Sequence, residues 1–324
     1  MKILKKSIFG IPMHVFTVIL LSGLLATLLY GCQNKPLYKE TQLHLGTFVE
    51  VTSSNKSASR IVFAHIKELE TIFNKFDPQS EVSRLNKLGA LKVSNELIKI
   101  IERAKYFHQI SNGAFDITVS PLVDLWKHAI KTKELPSESQ INKAKNLIGM
   151  DNISIDRNDY VIKFTKKGLN IDLGAIAKGY AVDEAIEELK KSGINDALIN
   201  AGGQIYCLGT NNGRPWNIGI QDPRDSSKIL GYLKLVDRAV ATSGNYQQYF
   251  ILNHRHYSHI IDPRTGYPAD NKIASVTVIA PDGTTADALS TAIFVLGKVR
   301  GETLAKKFKD IEVQIKTTDD VQNN

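Results

Sequence analysis

The sequence predicts an α+β fold, a largely antiparallel sheet flanked by helices, on three observations. Apolar residues recur at helical spacing through the first half of the chain. Beyond Gly149 the apolar runs shorten to strand length between glycine-containing turns. The helices that interrupt those runs do not alternate with them strictly, as a parallel doubly wound sheet requires. With 43% hydrophobic and 23% charged positions among 324 residues, the composition is globular and excludes a disordered, collagen-like or disulfide-stapled class.

The chain opens with Lys2, Lys5 and Lys6 and continues without charge from Ser7 to Gly31, the pattern of a secretory leader. The stretch ends in Leu-Leu-Tyr-Gly-Cys, similar to a bacterial lipobox, so residues 1–31 read as a lipoprotein signal peptide and Cys32 as the lipidated residue. The apolar run is also long enough to remain as an uncleaved anchor. Either reading places the body at the cell membrane, facing the periplasm or extracytoplasmic side. Residues 32–40 then form a lipid-anchored linker, 41–317 one domain and 318–324 a polar tail.

Leu43 to Thr52 alternates as a strand. Val62, Ile66, Leu69, Phe73 and Phe76 share one helix face, and Asp77-Pro78 stops that helix. Ser94 caps a helix from Asn95 to His108. Ser137 opens a capping box on another that runs to near Gly149. Strands follow at Val161–Thr165, Asp196–Asn200, Gln204–Leu208, Trp216–Gln221, Ile229–Val236 and Ser275–Ala280. Helices Ile176–Lys191 and Thr285–Leu296 end at Ser192-Gly193 and Gly297. Cys207, in an apolar strand, reads as a buried small hydrophobe.

The 41 Lys and Arg against 33 Asp and Glu are too dispersed for a nucleic-acid-binding stripe, yet suit an anionic ligand. Several segments carry groups that phosphate chemistry uses. Thr284 and Asp287 have capping-box spacing, and Thr291 lies four residues beyond Asp287 on the same helix face. An aspartate with a hydroxyl is a partial oxygen shell of the kind Mg²⁺ accepts; spacing alone equally allows a simple helix cap. In Asn170 to Tyr180 a strand turns through Gly174 into a helix whose start can hold phosphate, with Lys178 one turn in; ordinary strand-to-helix packing is the other reading. His259 to Pro268 holds a histidine able to take a proton from a hydroxyl, or an Asp262–Arg264 turn pair that His259 helps to hold. Ala241 to Tyr246 and Ala201-Gly202-Gly203 read as glycine turns that permit close backbone approach. Asn112 to Thr118 offers Phe115 and Asp116 to a planar heterocycle, although aromatics of this kind are ordinarily core. No HExxH, CxxC pair, GxSxG or zinc spacing occurs.

Taken in order, Leu45-Gly-Thr47, Ser80 to Asn86, Gly113 to Thr118, Asp172 to Gly179, Asn200 to Gly203, Ala241 to Gly244, His259 to Gly266 and Ala286 to Ala292 resemble the ApbE family, the FAD:protein FMN transferases. The resemblance implies an ApbE-type single domain with a T-fold-like core that binds FAD and Mg²⁺. It implies transfer of FMN from FAD through a phosphoester to a threonine or serine of an exported or membrane acceptor flavoprotein, with release of AMP. By position, Leu45, Phe76, Ala114, Phe115, Asp116, Asp172, Lys178 and the backbone near Ile261 would contact FAD. Phe76 stands where the family often has a tyrosine stacked on adenine. The metal would take the Ala175 carbonyl, Asp287 and Thr291, with Ser290 close by, and His259, with Asp287 sharing the role, would deprotonate the acceptor. Gln204 stands where the family commonly has an acid, and Leu45 where it often has methionine. The same site with water as acceptor would make an FAD pyrophosphatase, and a flavin-binding lipoprotein without turnover is the reading from another class.

Overall fold

The computed structural model describes residues 35–222, 225–244, 249–252 and 255–322; the leader and Cys32 lie outside them. Two strands, β1 (Tyr38–His44) and β2 (Thr47–Ser53), pair as an antiparallel hairpin. They replace the single strand predicted over Leu43–Thr52, and β1 opens inside the stretch read as linker. The turn between them has φ of 52° at Leu45 and 70° at Gly46, the left-handed pair of a type I′ hairpin. A sequence pattern shows such a turn only through its glycine.

Helices α1 (Ala58–Phe73), α2 (Glu81–Leu88) and α3 (Asn95–Ile110) follow, with β3 (Ala90–Lys92) between the last two. The Ser94 hydroxyl accepts from the Leu97 amide as the sequence implied. Phe76 is not on the α1 face: the helix ends three residues earlier, and the ring is 76% exposed. Next come α4 (Ser120–Thr132) and α5 (Glu138–Lys145); the latter carries the expected Ser137–Gln140 capping box but stops before Asn146, short of Gly149. Strands β4 (Ile153–Asp156) and β5 (Val161–Phe164) pair with β3 as a small antiparallel sheet.

The remaining elements build the centre. They are α6 (Ala177–Lys191), β6 (Ala197–Ala201), β7 (Gln204–Leu208), β8 (Trp216–Asp222), β9 (Asp225–Leu235), β10 (Arg238–Gly244), β11 (Tyr249–Leu252), β12 (Arg255–Ser258), β13 (Ile273–Ala280), α7 (Gly283–Leu296), α8 (Lys298–Ala305), β14 (Glu312–Thr317) and α9 (Thr318–Gln322). Among the described residues, seven strands form one sheet in the order β1-β2-β6-β7-β10-β13-β14, antiparallel at every pairing. This is the predicted α+β class. Helices α1, α6 and α7 cover one face, where the buried side chains of Val49, Val51, Ile66, Ile186, Ile199, Val276 and Leu289 belong to one continuous core.

The β8–β9 ribbon lies on the opposite face, seating Trp216, Ile218 and Leu235 on Cys207, Val240 and Ile279. Cys207 is completely buried, and burial pushes its thiol up to about 12, so it is the inert core cysteine the sequence suggested. Of the Ala241–Tyr246 stretch, read as a glycine turn, Ala241–Gly244 is the end of β10, and 245–246 lie outside the described residues. Strand alternation therefore sends Thr242 to the ribbon side, where its hydroxyl meets that of Thr277 at 2.9 Å, and Ser243 to the helix side.

Candidate functional site

Helices α6 and α7 cross tightly at Gly179 and Gly283, neither of which carries a side chain. A Cβ on Gly179 would collide with the carbonyl of Gly283 and with the Asp287 Cβ. This proximity lets the Gly179 amide reach across to Asp287 Oδ2 at 3.0 Å. In a regular helix that amide would donate to the carbonyl four residues back, at Ala175. Here α6 opens only at Ala177, and the Ala175 carbonyl is left without its helical donor. Lys178 donates to the Gly174 carbonyl at 3.2 Å, with its ammonium 3.8 Å from Asp287 Oδ1.

Asp287 is buried, with 6% exposure. Behind it the Ser290 hydroxyl donates to the Asp287 carbonyl at 2.9 Å. Ser243 Oγ lies 2.8 Å from Ser290 Oγ and 3.3 Å from Thr291 Oγ1. With one proton per hydroxyl, a consistent chain runs from Thr291 through Ser243 and Ser290 to that carbonyl. It leaves the Thr291 oxygen with lone pairs to offer. Ser290, wholly buried and donating within the chain, supports the Asp287 turn.

The predicted Thr284–Asp287 capping box is absent. Asp282 caps α7, accepting from the Thr285 amide at 2.8 Å, and a residue that sequence reasoning did not single out does the rest. Asp183, one turn beyond Gly179 on α6, accepts from the Gly283 amide at 2.5 Å and from the Thr284 amide and hydroxyl at 2.8 and 2.6 Å. Asp287 is thus free of capping duty. Its partner is an amide on another helix.

Burial pushes the Asp183 carboxyl up to about 7, against the pull of the Thr284 hydroxyl and with a further push from the charge of Asp282. An acid whose folded pKa exceeds its unfolded one keeps a proton that the unfolded chain releases. Its contribution is fully present below about pH 4 and is lost as pH rises through 7, at up to about 1.4 kcal/mol per pH unit. Urea unfolding of the wild type and Asp183→Asn at pH 4.5 and pH 8 should therefore show the wild type losing stability relative to the variant as pH rises. Parallel pH profiles would contradict this.

A second group adjoins the turn that leads into α6. Asn86 exchanges two hydrogen bonds with the Ile171 backbone, and the Asp172 amide donates to the Ile117 carbonyl at 2.7 Å. The turn is thereby tied to the Gly113–Thr118 segment. Asp172 pairs with Lys75 at 2.8 Å, the residue before Phe76. Ala114 and Phe115 are buried, the latter ring edge-on to Phe107 at 6.0 Å, so this loop offers its backbone and Asp116 rather than an aromatic face. Asp116 accepts from the Thr118 amide and hydroxyl at 2.7 and 2.5 Å. Burial raises its pKa, with the Thr118 hydroxyl and His108 pulling the other way.

Ile261 is buried with Leu122 and Trp126. The neighbouring turn is held by Arg264, whose Nε and Nη2 grip the two Asp262 carboxylate oxygens at 2.9 and 2.7 Å; this is the structural turn pair that the sequence left open. His259 lies exposed on the bend before it. Leu45 is anchored by its amide to Glu70 Oε1 at 2.5 Å, while Glu70 Oε2 meets His44 at 2.9 Å. A cavity of about 780 Å³ opens on the far face of the sheet, under the ribbon, lined by Asn200, Thr242 and Thr277. The sheet separates it from Asp287.

The donors that the sequence nominated, the Asp287 carboxylate, the Thr291 hydroxyl and the Ala175 carbonyl without a helical donor, are all oxygens and carry one charge. Such a set suits a hard cation that keeps waters or takes phosphate oxygens for the rest of its shell. Among the described residues no cluster of three or more His, Cys, Asp or Glu competes for this role. Fold and site together define an α+β protein with a buried aspartate, a lysine and a helix start tied to a loop bearing an exposed aromatic ring, groups suited to a nucleotide phosphate.

The sequence model of the ApbE family matches residues 45–315. The FAD:protein FMN transferase of Vibrio cholerae is 32% identical over 312 residues, covering 90% of this chain and 92% of its own. That of Haemophilus influenzae is 31% identical over 268 residues, covering 79% and 78%. The crystal structure of the ApbE protein of Thermotoga maritima aligns with a TM-score of 0.79 at 34% identity, over 86% of this chain and 94% of that one. The chain belongs to the ApbE family.

Proposed function

We propose that this protein transfers the FMN moiety of FAD to a threonine or serine hydroxyl of an exported or membrane acceptor flavoprotein, releasing AMP, with Mg²⁺ held by Asp287, Thr291 and the Ala175 carbonyl. The observation that carries the reading is the bond from the Gly179 amide to Asp287 Oδ2, which sets that carboxylate at the α6 start, where the Ala175 carbonyl has no helical donor. The relatives named FAD:protein FMN transferase support the reaction. Bound there, the cation would offset charge on the pyrophosphate oxygens.

The chain's own residues do the remainder. Lys178 adds a positive charge 3.8 Å from Asp287, where anionic oxygens gather. His259, or Asp287, takes the proton of the acceptor hydroxyl as its oxygen bonds to the FMN phosphorus. The bond from that phosphorus to the bridging oxygen breaks, and AMP departs with that oxygen. Asp172, Asp116, Leu45 and the Ile261 backbone hold the dinucleotide in line. Lipidation at Cys32 would keep the enzyme at the membrane, near its acceptors.

The test is incubation with FAD, Mg²⁺ and envelope proteins of the host, followed by in-gel flavin fluorescence and mass measurement of any labelled acceptor. The expected result is an acceptor heavier by FMN less one water, together with free AMP. Free FMN and AMP with every acceptor unmodified would instead assign the pyrophosphatase reaction, and unchanged FAD would assign flavin binding alone.

A further inference from the structure

The β8–β9 ribbon covers the far face of the sheet unevenly. Residues directly opposite on an antiparallel pair share a face, so its inner side reads Trp216 with Leu235, Ile218 with Leu233, then Ile220 with Gly231. The first two pairs seat on Cys207, Val240 and Ile279. The third pair lacks a side chain. A Cβ on Gly231 would find nothing within 4 Å, and this space belongs to the cavity of about 780 Å³, a volume within the range of small-molecule sites. Beside it the strand bulges, with Leu230 as the extra residue between Ile229 and Gly231. Ile229, Leu230 and Tyr232 line the opening with about half or more of each side chain exposed.

The floor differs in kind from this roof. Strands β10, β13 and β14 set Thr242, Thr277 and Gln314 side by side, and the next inward-facing step sets Ser275 beside Lys316. Thr277 and Ser275 are buried. Thr242 and Thr277 share one hydrogen bond of 2.9 Å, which leaves one of their two hydroxyl protons unused. Among the described residues the Ser275 hydroxyl makes no hydrogen bond, and no carboxylate comes within ion-pair distance of Lys316. Asp320, the nearby acid, instead accepts from the Thr317 amide and hydroxyl at 2.9 and 2.7 Å. Water would satisfy the hydroxyls and leave the roof wetted. A molecule with an apolar body and an anionic head satisfies roof, hydroxyls and cation together.

We propose that this cavity binds a single-chain anionic amphiphile, with its chain in the space beside Gly231 under Ile220 and its head on Ser275 and Lys316. The sheet lies between this site and Asp287, so the inference stands apart from the flavin-transfer reading.

The test is calorimetry of the purified protein with decanoate, butyrate and decyltrimethylammonium, each below its micelle concentration, for the wild type, Gly231→Leu and Lys316→Ala. The wild type should bind one decanoate, more than about tenfold tighter than butyrate, which has the same head and too little chain. It should prefer decanoate equally over decyltrimethylammonium, which has the same chain and the opposite charge. Gly231→Leu fills the space and should abolish decanoate binding while the denaturant midpoint holds or rises. Lys316→Ala, at the exposed rim, keeps the test open should Gly231→Leu not fold; it should weaken decanoate by about fivefold, a difference that salt erases. Absence of saturable decanoate binding, equal binding of the two charged heads, or decanoate binding that neither substitution changes would overturn the inference.

Discussion

Asp287→Ala should lower covalent flavin transfer by roughly a thousandfold, the scale seen when a group that stabilises transition-state charge is removed. Asp287 is the single carboxylate of the proposed donor set, and neither Thr291 nor the Ala175 carbonyl can replace its charge. The substitution also removes the acceptor of the Gly179 amide. That amide could then return to the Ala175 carbonyl, closing the regular helical bond and withdrawing a second donor. Asp287→Asn separates the two effects, since its carbonyl oxygen can still accept from Gly179 while the negative charge is gone. Both variants should stay folded, with losses of about 1–3 kcal/mol in urea unfolding. Transfer rates within tenfold of the wild type for either variant would contradict the assignment.

Gly179→Ala should damage stability and transfer together. The added carbon meets the Gly283 carbonyl and the Asp287 Cβ, and backbone on that side cannot swing away as a flexible side chain could. The helices must separate, at a cost of about 3 kcal/mol. Separation would also stretch the Gly179–Asp287 bond and the three bonds that Asp183 makes to the start of α7. Stability and transfer should therefore fall together, and manganese affinity with them. Gly231→Ala on the ribbon, where nothing lies within 4 Å of the new carbon, serves as the control and should change stability by less than about 0.5 kcal/mol. Equal behaviour of the two variants, by denaturant midpoint, would show that the helix crossing is not tight.

Much of the fold can be read locally because its signals are local. Ser94 and Ser137 cap the helices their spacing announces, Gln204–Leu208 is a strand with the predicted bounds, and the end of α6 falls at Ser192-Gly193. The failures involve partners far away in sequence. Thr284 and Asp287 have the spacing of a capping box, but Asp183, a hundred residues earlier, takes the amides and the hydroxyl that such a box would organise. Phe76 continues the helical periodicity of α1, yet the chain has already left the helix there, because the Asn74 side chain and backbone collect the bonds of the following loop. The Ala241–Gly244 glycine looks like a turn until β13 pairs alongside it.

The candidate site was legible as a set of segments and not as an arrangement. Asp172, Lys178, Asp287 and Thr291 stand in segments whose order matches a known family, and the fold brings Lys178 to Asp287 and Thr291 into the Ser243–Ser290 hydroxyl chain. What periodicity cannot express is why Ala175 could be a ligand at all. That depends on a first-turn amide of α6, at Gly179, that bonds to another helix, which in turn depends on two glycines meeting at a crossing. Gly283 and Asp183 carry no signal beyond being small or capable of a hydrogen bond, and Gly179 and Ser243 stand in family-like segments without a role of their own that spacing reveals.

The most direct test is anomalous diffraction from crystals grown with manganese and FAD. The account predicts one strong peak within coordination distance of the Asp287 carboxylate, the Thr291 hydroxyl and the Ala175 carbonyl, with the flavin pyrophosphate against it. A bound FAD whose metal peak lies elsewhere, with the Ala175 carbonyl back in a bond from the Gly179 amide, would contradict it.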